Sequence, residues 1–268
     1  MRIRLNRNAF GAKNSANNNI VADGTLLHKK LSFAATEAYK LLRTNLMFAL
    51  PDEGKCRVIG VTSSLRGEGK STTAINLSYA LSETGKRVLL IDADLRLPSI
   101  AKKLDIDRSP GLSNVLVGIT EARKTVKNSG VLDNWNILTA GDIPPNPTEL
   151  LGSAQMKEFI DSIKGEYDFI IVDLPPVNIV SDSLAASPVL DGIIVVVREN
   201  YSTRSALNSC TRSLSLSKVK ILGFVMTVVG DDDGSYGRYK RNKYYYKSYK
   251  GYEKSKPSKK LDNETEKK

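Results

Sequence analysis

The chain has 268 residues, enough for one α/β domain with tails. Its formal net charge of +11 reads at first as that of a nucleic-acid binder, but residues 236–268 hold 12 Lys/Arg against 4 Asp/Glu, so this stretch carries a surplus of 8 and the rest of the chain only +3. A single histidine, His28, excludes a histidine triad or a multi-histidine metal site, and the distant Cys56 and Cys210 lack ligand or redox spacing and read as small buried side chains.

Residues 1–32 are polar and Asn-rich and are expected to form a flexible arm. The opening segment has no apolar core, so no signal peptide is expected. No run approaches the ~18 apolar residues of a membrane span, which makes a cytosolic protein the expectation. Leu41, Leu42, Leu46 and Met47 recur at helical spacing and predict a helix over 34–50, ended by Pro51. Short β-branched runs then predict strands at 57–62, 87–92, 136–140, 168–173, 192–197 and 220–228. Helical patterns lie near 70–84, 112–118, 148–163 and 202–217. Trp135 opens an apolar run and is expected to pack. Ile193-Ile194-Val195-Val196-Val197 is apolar without alternation, as expected of a strand buried on both faces. The βαβα order predicts an α/β fold with a doubly wound, mostly parallel sheet over 33–230. The sequence Gly230-Asp231-Asp232-Asp233-Gly234 closes that domain and opens a disordered basic tail over 231–268.

Three segments of the predicted sheet carry chemistry. Ser64-Leu65-Arg66-Gly67-Glu68-Gly69-Lys70-Ser71-Thr72 follows a strand and precedes a helix. Its glycines let backbone N–H groups approach phosphates, and the helix N-terminus adds a favourable dipole. In that arrangement, which is a P-loop, Ser64, Arg66–Thr72 and above all Lys70 bind ATP, and the Ser71 hydroxyl ligates Mg²⁺. Ser64 stands where the usual pattern has its first glycine. In the second segment Asp92 and Asp94 end the run Val88-Leu89-Leu90-Ile91, at the strand end where α/β sheets hold ligands, although turns and helix caps also favour Asp. In the third, Phe169-Ile170-Ile171-Val172 delivers Asp173, which fits the acid that anchors Mg²⁺ beside a P-loop. One P-loop with three acids at strand ends is consistent with a single ATP–Mg²⁺ site.

Seven of the eleven tyrosines, Tyr236, Tyr239, Tyr244, Tyr245, Tyr246, Tyr249 and Tyr252, lie among Lys and Arg in a stretch without Leu, Ile, Val or Phe. Such a segment cannot offset the ~1–2 kcal/mol per residue that ordering a chain costs, so its hydroxyls are expected to stay accessible. They read as substrates, as platforms for stacking on bases, or as a basic membrane-surface tail.

With these residues the chain resembles the bacterial tyrosine kinases, specifically the soluble cytoplasmic kinases of capsular and exopolysaccharide operons in Gram-positive bacteria. The resemblance spans roughly residues 33–252: the modified P-loop, the DxDxR segment at 92–96, the strand ending in Asp173 and the terminal tyrosines. Glu37, Lys40 and Arg43 are similar to the family's self-association motif, and 141–151 to another hallmark. Lys40 replaces an arginine there, losing a bidentate fork, and a solvated helix face with i,i+3 pairs is the plain alternative.

The resemblance implies an ATP- and Mg²⁺-dependent protein-tyrosine kinase that regulates polysaccharide synthesis and export, and that phosphorylates its own tyrosine cluster in trans. It makes Lys70, Asp92 and Asp94 catalytic, Asp92 as base or metal ligand, and Ser71, Asp92, Asp94 and Asp173 the metal set. It also implies a homo-oligomer, ring-like assembly included, a transmembrane co-polymerase that activates the kinase and holds it at the membrane, and a cognate tyrosine phosphatase, with no specific nucleic acid. The domain is also similar to the MinD/ParA positioning ATPases. Those place a second lysine early in the P-loop, where this chain has Leu65, and their membrane-binding members end in an amphipathic helix.

Overall fold

The computed structural model describes residues 2–6, 26, 31–50 and 55–229. His28, Pro51 and all seven tail tyrosines lie outside the described residues. The chain divides into two units, Met1–Gly230 and Asp231–Lys268, and every described residue belongs to the first.

Among the described residues eight strands form one sheet: β1 Arg2–Asn6, β2 Arg57–Ser63, β3 Val88–Asp92, β4 Lys127–Asn128, β5 Trp135–Leu138, β6 Phe169–Asp173, β7 Gly192–Arg198 and β8 Ile221–Val229. Their spatial order is β1-β8-β7-β2-β6-β3-β5-β4, parallel throughout except for β4 against β5. The helices are α1 Phe33–Ala49, α2 Lys70–Ser82, α3 Ile100–Leu104, α4 Leu112–Leu116, α5 Ala122–Thr125, α6 Pro147–Leu151, α7 Ala154–Ile163, α8 Asp182–Ala185 and α9 Arg204–Leu216. None of them is long and apolar enough to cross a membrane.

The period-2 geometry of a strand explains the continuous apolar runs. Along β3, Val88 and Leu90 enter the core beneath α1 and α2, while Leu89 and Ile91 enter the opposite core with α7 and α9. Strands β6 and β7 divide their residues in the same way. Buried side chains on both faces make the sheet the middle layer of three. Trp135 is wholly buried, donates to Ser78 Oγ at 3.0 Å and meets the Tyr79 ring edge-on at 5.4 Å.

Two expectations need correction. Arg2–Asn6 does not belong to a flexible arm: it pairs in parallel with β8 at the sheet edge, and Leu26 is buried in the core on the α1–α2 side. The alternation Arg2-Ile3-Arg4-Leu5 carried that signal, but five residues form a strand only where a neighbouring edge is open to receive them. The single helix expected over 148–163 is two, because Gly152 and Ser153 interrupt it and the Ser153 hydroxyl caps α7 by accepting from Met156 N. Cys56 is half-buried and Cys210 fully buried, and burial pushes their thiols up to about 11 and about 12.

Candidate active site

Strand β2 ends at Ser63 and α2 begins at Lys70, so the six residues between them form a loop at the carboxyl edge of the sheet. The turn needs two left-handed residues, Gly67 at φ 81° and Gly69 at φ 96°, a region that side chains with a Cβ avoid. Gly69 is also the N-cap of α2, which directs the helix N-terminus into the loop. Arg66 and Gly67 are exposed and Thr72 is half-buried, whereas Ser64, Glu68 and Ser71 are buried.

The three acids expected from sequence meet at this loop. Asp92 and Asp173 end adjacent parallel strands and are direct register partners. Lys70 Nζ is 2.8 Å from Asp94 Oδ2, 3.6 Å from Asp173 Oδ1 and 3.4 Å from Ser71 Oγ. Burial alone would lower the Lys70 pKa, but the Asp173 and Asp94 carboxylates outweigh it and hold the ammonium above its usual value. Burial raises Asp173, with Lys70 pulling the other way. Burial and the Asp173 charge push Asp92 up to about 7, against the opposing effect of its bond from Ile100 N.

The two aspartates of the DxD segment do different work. Asp92 accepts from Asp94 N at 3.3 Å, Ser99 N at 3.1 Å and Ile100 N at 3.0 Å, so its carboxylate holds the start of α3. Its side chain is wholly covered. Asp94 faces Lys70 through one oxygen and accepts from Leu97 N at 3.0 Å through the other. Neither oxygen of Asp173 makes a hydrogen bond, although the residue is fully buried and lies beside Ser71. A buried carboxylate met only by the Lys70 ammonium at 3.6 Å, next to a hydroxyl at a helix N-terminus, is a donor set suited to a hard cation such as Mg²⁺. Among the described residues no group of three or more His, Cys, Asp or Glu forms a ready metal cage. Mg²⁺ at phosphate sites takes only one or two protein ligands and fills the rest with phosphate and water, so Ser71 and Asp173 suffice.

Several contacts of this region were not expected from the sequence. Arg96 Nε and Nη2 donate to the buried Asp182 carboxylate at 2.9 and 3.1 Å, and Arg96 Nη2 also reaches Thr148 Oγ1 at 3.1 Å. This ties the Asp94 loop to α6 and α8. Lys103, one turn into α3, feels Asp173 and Lys70, and burial lowers its pKa. Glu68, expected to bind ATP, turns its carboxylate away into protein, where Ser64, Leu65 N and Ser202 bond to it. Spacing along the chain gives no signal for partners such as Asp182 and Ser202, which lie 86 and 134 residues from the groups they contact.

Glu37 and Lys40 pair within α1 at 2.8 Å, and Arg43 Nη1 donates to Ala80 O at the end of α2 at 2.6 Å. All three are half-buried.

A family described as an AAA domain matches residues 56–218. The tyrosine-protein kinase YwqD of Bacillus subtilis is 37% identical over 191 residues, which is 71% of this chain and 80% of that protein. The kinase domain of Escherichia coli tyrosine kinase ETK superposes with a TM-score of 0.76 at 25% identity, covering 87% of this chain and 91% of that domain. The septum site-determining protein MinD of Pyrococcus horikoshii, solved with Mg-ADP, superposes less closely, at a TM-score of 0.55 and 28% identity over 64% of this chain and 70% of its own.

Proposed function

The chain belongs to the bacterial protein-tyrosine kinases, and from that premise we propose that it transfers the γ-phosphoryl group of ATP to tyrosines in the tail of a neighbouring copy. The observation that carries this reading is Lys70, held between Asp94 and Asp173 at the head of α2 and beside Ser71. Phosphoryl transfer asks a protein for positioning and charge stabilisation more than for covalent chemistry. Lys70 is kept charged for the phosphates, the N–H groups of the loop cradle them, and Ser71 and Asp173 hold Mg²⁺, which supplies neutralisation of the phosphate charge. Asp94 keeps Lys70 aimed at the site. Asp92 is the candidate base for the tyrosine hydroxyl, a carboxylate at the strand end directly beside Asp173. Reaching it requires the 93–99 segment to move, since its oxygens are bonded to that segment here.

The substrate segment is the cluster Tyr236, Tyr239, Tyr244, Tyr245, Tyr246, Tyr249 and Tyr252. Each phosphotyrosine adds about −1.5 to −2, so about four to six of the seven cancel the tail's surplus of 8. That reversal is the proposed switch, and it loosens self-association and contact with a membrane-bound activator. Glu37, Lys40 and Arg43 are the proposed self-association residues, which exchange their contacts within α1 and with α2 for contacts to a second copy. A transmembrane polysaccharide co-polymerase activates the kinase at the inner face of the plasma membrane, a tyrosine phosphatase resets it, and polysaccharide synthesis and export are the regulated process.

Incubating the chain with Mg·ATP and mapping phosphotyrosine by mass spectrometry tests this directly. Lys70→Met is expected to abolish labelling, and undiminished labelling rejects the site. Mixing Lys70→Met protein with a copy lacking the tail tyrosines is expected to restore label on the former, as transfer in trans requires.

A further inference from the structure

The P-loop is held from outside by residues of the neighbouring strand β7, the loop after it, and β8. Tyr201 Oη donates to Arg66 O at 3.0 Å, Arg198 Nη1 to Gly67 O at 3.1 Å and Thr227 Oγ1 to Glu68 O at 2.7 Å. Three successive carbonyls of one loop are thereby occupied by side chains from the end of β7, the β7–α9 loop and β8. A trans peptide directs its carbonyl and its N–H to opposite sides. Holding the carbonyls of residues 66, 67 and 68 outward therefore sends the N–H groups of Gly67, Glu68 and Gly69 the other way, into the loop. Successive N–H groups turned to one side form an anion nest.

A second connection fixes the same loop. The Glu68 carboxylate, fully buried, lies 2.9 and 3.0 Å from the Ser64 hydroxyl and accepts from Leu65 N at 2.7 Å. Ser202 Oγ also donates to it. Ser202 in turn accepts from Arg198 N at 2.8 Å and donates its own N–H to Arg198 O at 2.9 Å, so its hydroxyl is locked to the end of β7. The serine at 64, where a glycine is usual, and the glutamate at 68 are one feature: the hydroxyl closes the loop on a carboxylate that the β7–α9 loop grips. Arg198 lies 5.2 Å over the Tyr201 ring, which couples the two outer contacts.

We propose that Arg198, Tyr201, Ser202 and Thr227 are positioning residues for the nucleotide: through the carbonyls of 66–68 and the Glu68 carboxylate they set the P-loop N–H groups in phosphate-binding geometry before ATP arrives. This rests on reading the P-loop as the ATP site. Preorganisation of this kind strengthens binding by sparing the ligand the cost of ordering the loop. It predicts an effect on nucleotide affinity rather than on turnover.

The test is equilibrium binding of a fluorescent ATP analogue with Mg²⁺ to the full chain, alongside steady-state kinetics of tyrosine phosphorylation. Ser202→Ala, Arg198→Met and Tyr201→Phe are each expected to weaken nucleotide binding about three- to tenfold, the range of one lost hydrogen bond. KM for ATP should rise to match while kcat stays within about twofold, and Ser202→Thr should restore binding. If Ser202→Ala lowers the melting temperature, Tyr201→Phe, which removes only a half-exposed hydroxyl, still decides the matter. Wild-type binding with all three variants unchanged overturns the positioning role alone, as does a fall in kcat at constant KM. Absence of binding by the wild type overturns the ATP-site reading and this inference with it.

Discussion

Replacing Arg96 with Met exposes how far the Asp94 loop depends on one ion pair. The Asp182 side chain has no solvent exposure, and Arg96 supplies two of its hydrogen bonds, at 2.9 and 3.1 Å, with Thr148 supplying another. Breaking a wholly buried pair from one side costs about 3–5 kcal/mol, because the remaining charge stays desolvated. Arg96 is itself 42% exposed, so water reaches part of the vacated space and reduces the expected loss to about 2–3 kcal/mol. Asp182→Asn should cost less, since an amide keeps one acceptor and buries no charge. The double variant should fall short of the sum of the two single losses by about 1–2 kcal/mol. Urea unfolding of the four proteins at neutral pH gives the cycle. A loss below about 0.5 kcal/mol for Arg96→Met, or no coupling between the two changes, would refute the view that this pair fastens the Asp94 loop to α6 and α8.

Tyr39 offers a pH test. Its hydroxyl is buried beside Asn76 and Thr73 without closing a hydrogen bond, and burial pushes its pKa from 10.0 to about 12. Below pH 10 the phenol is neutral in both states; between 10 and 12 only the unfolded chain ionises. Stability is therefore lost across that window, by about 3 kcal/mol, and Tyr39→Phe should remove this part of the alkaline decline while matching or exceeding wild-type stability at pH 8. Gly111→Ala should destabilise by more than about 3 kcal/mol in thermal unfolding, because a Cβ there would lie 2.2 Å from Gly141 N and 2.3 Å from Thr139 O, backbone atoms that cannot turn aside. Cys210 should resist maleimide labelling at pH 8 in the native state and react on unfolding, since it is buried and its thiol is held up to about 12. Rapid native labelling would place it at the surface.

The sheet was legible because apolar runs buried on both faces leave little else for the chain to do. The six strands from 57 to 228 follow from β-branched runs alone, each within a residue or two of its observed ends. The P-loop was legible because Gly67, Gly69, Lys70 and Ser71 all lie within residues 67–71, and their chemistry is local. Strand β1 was missed because a five-residue strand has no stability of its own. Short helices α3 and α8 were missed for the same reason: their caps and anchors, Asp92 for α3 and Arg96 at the first residue of α8, are contacts from elsewhere in the chain. The break at Gly152 within the 148–163 pattern was visible as a glycine, but one glycine does not say whether a helix bends or ends.

By itself, then, the sequence determined which residue types are available and where each strand delivers them: a lysine and a serine at the head of α2, and acids at the ends of β3 and β6. Tertiary structure decided their roles. Burial raises both the Asp92 and Asp173 carboxyls, the register that sets the two side by side raises Asp92 further, and the course of the loop after β3 sends Asp92 to α3 but Asp94 to Lys70. Glu68, one residue before the Gly69 N-cap, turned out to face Ser202 rather than the phosphate side of its loop. The physical reason is range. Backbone conformation and apolar periodicity act over a few residues and are written in order along the chain. The direction of a charged side chain depends on partners that only the closed sheet brings within hydrogen-bonding distance.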